Sequence, residues 1–352
     1  MIKSVELLGP AKAGMGKADL PEMKSGDAML SILAVGICGS DLHIYREGNI
    51  GSAVAQYPFI PGHEAVARVD DVADAADRHL TGKRVSVEPT IYCRKCAYCL
   101  SGSPNLCLNQ SFVSLPPFPG LMREKVAHPA YLIEEVPEIL SDAAATLLEP
   151  MAVSLNTLDL LKARSGNPLV IIGCGAVGLT CLILAKRAGM NPILCIEPLA
   201  HRREKALELG ATNAVAPEQA HAVAEKLTRG LGFPYAIEAS GSDDGQTKSA
   251  ELAAPGAKIS VVGTNMGDHV TFPGHMSRRK GLTFLMVRRS RNTLARCCAI
   301  AGEKTVAAEL ERVVSHVFRP ADAQRAFDTA AYYRDGAVKV VINFTDAEVR
   351  SR

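Results

Sequence analysis

The chain has 352 residues, enough for roughly two domains that each bury their own core, so a single small binding module is excluded. Lys and Arg total 39 against 37 Asp and Glu, a formal net charge of +2, while Trp is absent and aromatics are 5%; neither a general field for polyanions nor base stacking fits this composition, and no nucleic-acid partner is expected. Apolar residues at 47% and charged residues at 22% exclude disorder as the main state.

The N-terminus carries Lys3 and Glu6 and reaches Gly9-Pro10 without an apolar block, so no secretory signal is expected. A cytoplasmic, reducing location follows, in which ten cysteines serve as ligands or buried thiols rather than disulfides. Over residues 1–152, short β-prone pieces at 28–35, 65–69 and 84–87 are punctuated by Gly and Pro, which predicts an irregular, mainly β domain. Within it stand Cys38, in Gly36-Ile37-Cys38-Gly39-Ser40-Asp41, then His63-Glu64 after Pro61-Gly62, and Glu149 before Pro150. A thiolate, an imidazole and carboxylates can supply three zinc ligands and leave one position open, as a catalytic site requires. Singly, each also reads as a buried thiol, a capped histidine or a surface acid, and spacing alone does not connect them.

Cys93, Cys96, Cys99 and Cys107 follow as C-x2-C-x2-C-x7-C in a loop with Gly102 and Pro104. Four thiolates this close match a closed tetrahedral zinc site that stabilises the loop. Iron–sulfur spacing ends differently, disulfides conflict with the compartment, and Arg94 and Lys95 are too few for nucleic-acid contact.

From residue 153 to about 287 the rhythm changes to short apolar runs, at 169–172, 193–196, 213–216, 235–238, 258–262 and 282–286, alternating with longer amphipathic segments. Six strands with intervening helices predict an α/β doubly wound parallel sheet. Residues 168–185 carry no charge, yet Gly173, Gly175 and Gly178 divide them into a strand, a turn and a helix start, so neither a membrane span nor a membrane partner is expected. Gly173-Cys174-Gly175-Ala176-Val177-Gly178 is a dinucleotide fingerprint in register with its strand and helix. Glu197 ends the next strand, 19 residues after Gly178, where a carboxylate accepts from an adenosine ribose diol and repels a 2′-phosphate. NAD is therefore favoured over NADP, with His201, Arg202 and Arg203 as a partial offset.

The last segment, 288–352, predicts helices at 293–301 and 320–330 and a strand at 337–344 that return to the first domain. It opens with Val287-Arg288-Arg289-Ser290-Arg291-Asn292.

These motifs, in this order and over essentially the whole length, resemble the zinc-dependent medium-chain dehydrogenases. Glu149 in Leu148-Glu149-Pro150, where other branches place a cysteine, is similar to the polyol, sorbitol-dehydrogenase-like branch. The resemblance implies a GroES-like β domain with both zincs, and a Rossmann domain inserted before the C-terminal return. It implies that Cys38, His63 and Glu64 ligate zinc with a water. Glu149 would bind the metal directly or hold that water as a base. Ser40 and His43 would relay the proton, and Gly173, Gly175, Val177, Gly178, Glu197 and Arg202 would bind the cofactor. Ser290-Arg291-Asn292 is similar to members that oxidise sugar acids. A guanidinium can hold a carboxylate bidentately, so Arg291, with Arg289 or Arg288 as alternates, would read an acid group; contact with the cofactor pyrophosphate or with another subunit is the competing reading. The implied activity is NAD-dependent oxidation of a secondary hydroxyl on a small-molecule polyol or sugar acid by a homotetramer or homodimer. L-Threonine or small-diol oxidation, and a non-catalytic zinc- and NAD-binding relative, are the alternatives.

Overall fold

The computed structural model describes residues 1–265, 269–345 and 350–351. The chain forms two compact units, Met1–Glu149 with Leu294–Arg352, and Pro150–Thr293. The junctions fall at Glu149/Pro150 and Thr293/Leu294 rather than after residues 152 and 287. The segment after the last parallel strand stays with the second unit because its polar groups are tied there: Thr293 Oγ1 donates to the Ala152 carbonyl at 2.7 Å and Asn156 Nδ2 to the Arg289 carbonyl at 2.7 Å.

The first unit is built on an eight-stranded sheet whose centre is Asp27–Gly36. This strand pairs antiparallel with Glu64–Val72, with Lys339–Asn343 and with Lys125–Pro129. Its N-terminal half alternates buried and half-buried residues, whereas from Leu33 onward both faces are covered. Leu30, Val35, Ile44, Met122 and Phe327 are among the buried side chains that fill this core. Antiparallel pairing places the end of one strand beside the start of the next, so Gly36 stands opposite Glu64. The chain then turns through Ile37 and Cys38 into the Gly39–Glu47 helix.

The expected C-terminal return is present as Leu294–Ala301, Ala323–Ala331 and Lys339–Asn343. The helix Lys304–Val313 and the strand Val314–Phe318 carry no turn residue between them, so nothing in the sequence announces the change of period.

The second unit is a six-stranded parallel sheet in the order Asn213–Val215, Ile193–Ile196, Leu169–Ile172, Phe233–Glu238, Ala253–Val261 and Thr283–Met286. In chain order this is 3-2-1-4-5-6, whose direction reverses between Leu169–Ile172 and Phe233–Glu238, the place where such sheets bind dinucleotides. Every residue of Leu169–Ile172 and Ile193–Ile196 is buried, which explains their unbroken apolar runs. The uncharged stretch 168–185 divides into that first strand, the glycine turn and the Ala176–Arg187 helix. Among the described residues no helix is long and apolar enough to cross a membrane.

Candidate metal and cofactor sites

Cys38, His63 and Glu64 each offer a ligand atom, and the three atoms lie within 4.8 Å of one another. Cys38 N-caps the Gly39–Glu47 helix two residues after Gly36, while His63 directly precedes the strand that Glu64 opens, so the Gly36–Glu64 pairing brings the three together. A soft thiol, an imidazole and a carboxylate in one buried spot form a donor set that fits zinc. Glu149, buried in the first turn of the Leu148–Leu161 helix, is not part of that converging group; its charge still acts on Cys38. Burial and then the Asp41 carboxylate push the Cys38 thiol up, while Lys339 and the Ser40 hydroxyl pull it back. Ser40 and His43 lie half-buried on the first two turns of the helix that begins after Cys38.

Two further charged residues, Asp41 and Lys339, belong to this cluster. Asp41 is fully buried and accepts the backbone N–H of Cys38 at 3.0 Å, the backbone N–H of Gly62 at 3.0 Å and the Ser114 hydroxyl at 2.9 Å. Its Oδ1 also lies 3.8 Å from His63 Nδ1, a buried nitrogen with no hydrogen-bond partner among the described residues. Asp41 therefore ties together the two segments that carry the Cys38 and His63 donors. The signal was its place three residues after Cys38, inside the motif. The other residue, Lys339, arrives from the C-terminal return and bonds to Glu64; no local pattern points to it.

In the four-cysteine loop, Cys93 and Cys107 sulfurs are 3.5 Å apart, Cys96 and Cys99 3.6 Å, and Cys96 and Cys107 3.9 Å. Sulfurs held about 2.3 Å from a tetrahedral zinc stand about 3.8 Å from each other, so the spacing suits a closed site. Backbone N–H groups of Lys95 and Cys96 draw the Cys93 thiol down, while burial and the neighbouring cysteine side chains push the Cys99 thiol up, so without a metal the four sulfurs do not share one protonation state.

At the fingerprint, Gly173 has φ of 91°, and a Cβ on Gly178 would meet the Gly173 carbonyl oxygen at 1.9 Å. Backbone conformation demands the first glycine and packing demands the third. Gly175 needs neither explanation: its φ is −72°, and a Cβ there would find only Arg202 Nη1, at 4.0 Å. The bare space faces the uncapped N-terminus of the Ala176–Arg187 helix, with Gly175 and Val177 half-buried, and it fits the approach of a dinucleotide phosphate. Glu197 is buried, with Oε2 accepting the Cys174 N–H and Oε1 the Leu199 N–H. Arg203 Nη1 donates to the Glu197 and Pro198 carbonyls, so this guanidinium braces the strand end. At the end of the adjoining strand, Glu238 Oε1 accepts the N–H groups of Ser240 and Gly241 and so shapes the loop against which Gly173 packs.

Arg288, Arg289 and Arg291 follow Thr283–Met286. Arg289 and Asn292 both have φ of 52°, and buried Ser290 lies between Arg289 and exposed Arg291. The segment is thus held in a defined shape.

Comparison with known proteins accounts for both units. The model of the alcohol dehydrogenase GroES-like domain matches residues 24–138, and that of zinc-binding dehydrogenases matches residues 176–301. L-Arabinitol 4-dehydrogenase of Aureobasidium melanogenum is 31% identical over 338 residues, covering 94% of this chain and 90% of that protein. Sorbitol dehydrogenase of Bacillus subtilis is 28% identical over 327 residues, with 92% of each chain covered. Among solved structures, an oxidoreductase/dehydrogenase of unknown specificity from Escherichia coli matches with a TM-score of 0.90 at 26% identity, over 98% of this chain and 100% of that one. Matched by both family models and by a 31% identical relative of nearly the same extent, this chain belongs to the zinc-dependent medium-chain polyol dehydrogenases, oxidoreductases that use zinc and NAD.

Proposed function

We propose that the protein oxidises a secondary hydroxyl of a polyol, passing the hydride to NAD, with Cys38, His63 and Glu64 as the catalytic metal centre. The observation that carries this reading is the convergence of those three donors within 4.8 Å. Zinc bound there supplies Lewis acidity, which lowers the pKa of an alcohol into the neutral range. Cys38 and His63 hold the metal, and Asp41 keeps both ligand-bearing segments in place through its three hydrogen bonds. Glu149 acts as the base near the metal, and Ser40 and His43 carry the released proton outward. Arg202, beside Gly175, meets the cofactor phosphates, while Glu197 takes the ribose diol and favours NAD over NADP.

The curated relatives act on L-arabinitol and sorbitol, which supports a polyol substrate. A sugar acid is the second reading, favoured by the arginine segment. There the left-handed Arg289 and Asn292 and the Asn156 bond fix the backbone that presents Arg291, and a guanidinium at a fixed place can pair with a carboxylate. The chain is proposed to act in the cytoplasm, a reading supported by its ten free thiols, and to assemble as a homotetramer or homodimer, which sedimentation measures. The deciding experiment is a panel of polyols, aldonates and amino alcohols assayed for NADH formation. NADH from polyols is expected; turnover of amino alcohols alone would overturn the reading in favour of threonine-type oxidation, and no turnover of any alcohol would leave a non-catalytic relative.

A further inference from the structure

Ser154 and Thr180 are both fully buried, one in the Leu148–Leu161 helix and the other in the Ala176–Arg187 helix that follows the glycine turn. Their hydroxyl oxygens stand 2.7 Å apart, a distance that requires a proton between them. Ser154 Oγ is also 3.0 Å from the Pro150 carbonyl of its own helix and 3.2 Å from the Val177 carbonyl of the other. Thr180 Oγ1 lies 2.9 Å from the Ala176 carbonyl and 3.0 Å from that of Val177. Each hydroxyl brings one proton, so one proton serves the Ser154–Thr180 link and the other a carbonyl. Whichever way the link is oriented, it joins the two helices near the start of each.

Packing alone does not call for these hydroxyls. Alanine and valine would fill the same space with no polar group to satisfy, and replacing both partners of a buried bond by apolar groups of the same shape is nearly neutral for stability. What the hydroxyls add is direction. Their bond pins the Ala176–Val177 turn, which stands directly after Gly175, where the missing Cβ leaves the helix N-terminus open to a dinucleotide phosphate. Glu197, the acceptor for the adenosine ribose, is held instead by the Cys174 and Leu199 N–H groups. Loss of the Ser154–Thr180 bond therefore leaves the adenosine anchor in place and frees only the Val177 turn.

We propose that Ser154 and Thr180 are positioning residues for hydride transfer: their bond fixes the Val177 turn, and thereby the placement of the nicotinamide half of a dinucleotide anchored at Gly175, rather than how tightly that dinucleotide binds. A misplacement on the order of 1 Å at a reacting carbon costs about a hundredfold in rate. Affinity, spread over the phosphates and the adenosine ribose, is left almost unchanged. The inference rests on the reading of the glycine turn as the NAD site of an enzyme that oxidises alcohols.

The test uses the zinc-loaded enzyme, the polyol of the substrate panel with the highest kcat/KM, and NADH as the binding probe. Thr180→Val keeps the branched shape and deletes the hydroxyl, and Thr180→Ser restores it. In Thr180→Val, kcat is expected to fall about ten- to a hundredfold while the KM for NAD changes less than about twofold. Thr180→Ser should recover most of the lost kcat. A second readout needs no turnover: the chain has no Trp, so the emission of bound NADH is free of indole background. That emission follows the surroundings of the nicotinamide and is expected to change in Thr180→Val at an unchanged dissociation constant. Wild-type kcat and emission in Thr180→Val overturn the proposal. So does a loss of NADH affinity by the same factor as kcat, which would make the pair an affinity or folding element, or a Thr180→Ser enzyme no better than Thr180→Val. Should Thr180→Val fail to accumulate as folded protein, Ser154→Ala cuts the same bond from the other helix and is read by the same measures. A wild type that makes no NADH from any alcohol refutes the oxidation reading instead, and the NADH emission then decides for or against the positioning role by itself.

Discussion

The Glu197 carboxylate accepts the backbone N–H of Cys174 at 2.8 Å, which ties the acid at the end of the second parallel strand to the glycine turn after the first. The same side chain accepts the Leu199 N–H at 3.1 Å. Loss of the carboxylate therefore loosens the glycine turn and, on the proposed cofactor reading, also removes the diol acceptor. Glu197→Ala is expected to raise the KM for NAD about ten- to a hundredfold, equivalent to roughly 1.5 to 3 kcal/mol for charge-assisted bonds. Use of NADP should suffer less, so the ratio of kcat/KM for the two cofactors narrows; a wild type that already prefers NADP contradicts the role given to Glu197.

Asp41 serves three donors with two oxygens. Asparagine keeps the size but turns one oxygen into a donor, so one of the Cys38, Gly62 and Ser114 contacts is lost. Asp41→Asn is expected to cost about 1 to 3 kcal/mol in urea unfolding. It should also lower turnover and catalytic-site zinc together. Full zinc occupancy with unchanged stability would show that Asp41 does not position the ligands.

The two metal sites should separate under mutation. Cys96→Ser breaks a closed site that organises its loop, so the expected outcome is a lower melting temperature or poorer solubility with one zinc lost. Cys38→Ser should abolish turnover at a nearly unchanged melting temperature, since an open site contributes less to folding. Calorimetry with metal analysis on both variants checks the contrast, and an unchanged Cys96→Ser melting temperature after zinc loss speaks against the structural site.

Burial holds His128 down to about 4 from the ordinary 6.5, and its Nε2 lies 3.0 Å from the Glu88 carbonyl oxygen. The folded-state value is the lower one, so the unfolded chain binds more protons between the two. This contribution is fully present above about pH 6.5 and falls away as pH drops toward about 4, by at most ~3 kcal/mol. His128→Gln should make the fall in unfolding free energy from pH 7 to pH 5 smaller by about 2 kcal/mol. Equal slopes for variant and wild type would remove His128 as the cause.

Arg291 tests the sugar-acid reading. If it pairs with a substrate carboxylate, Arg291→Leu loses roughly 1.5 to 3 kcal/mol, a drop of about ten- to a hundredfold in kcat/KM for aldonates, with neutral polyols much less affected. Equal losses on both substrate classes would instead assign the arginine to the cofactor or the fold.

Signals that act over a few residues were legible in the sequence. Leu169–Ile172 and Ile193–Ile196 stand where their apolar runs end at turn residues, because strands buried on both faces need unbroken runs. The four cysteines lie so close along the chain that spacing alone confines their sulfurs to one loop, and Gly173 and Gly178 answer to local backbone and packing demands. The Val313-to-Val314 passage from helix to strand was not legible, since its residues suit either period and the sheet decides.

The catalytic centre is the opposite case. Cys38, His63, Glu64 and Glu149 were all visible as residue types, and family resemblance connected them, but only the folded chain shows that the ligand atoms of the first three converge. Lys339 lies 275 residues from Glu64 and was invisible beforehand. Its place depends on the C-terminal strand joining the sheet beside Gly36, and that pairing is selected by burial of the whole sheet rather than by any local preference. The sequence by itself thus determined the buried parallel strands, the four-cysteine loop and the glycine turn. The tertiary structure decided which charges share the metal centre, because register and long-range ion pairs are properties of the assembled core.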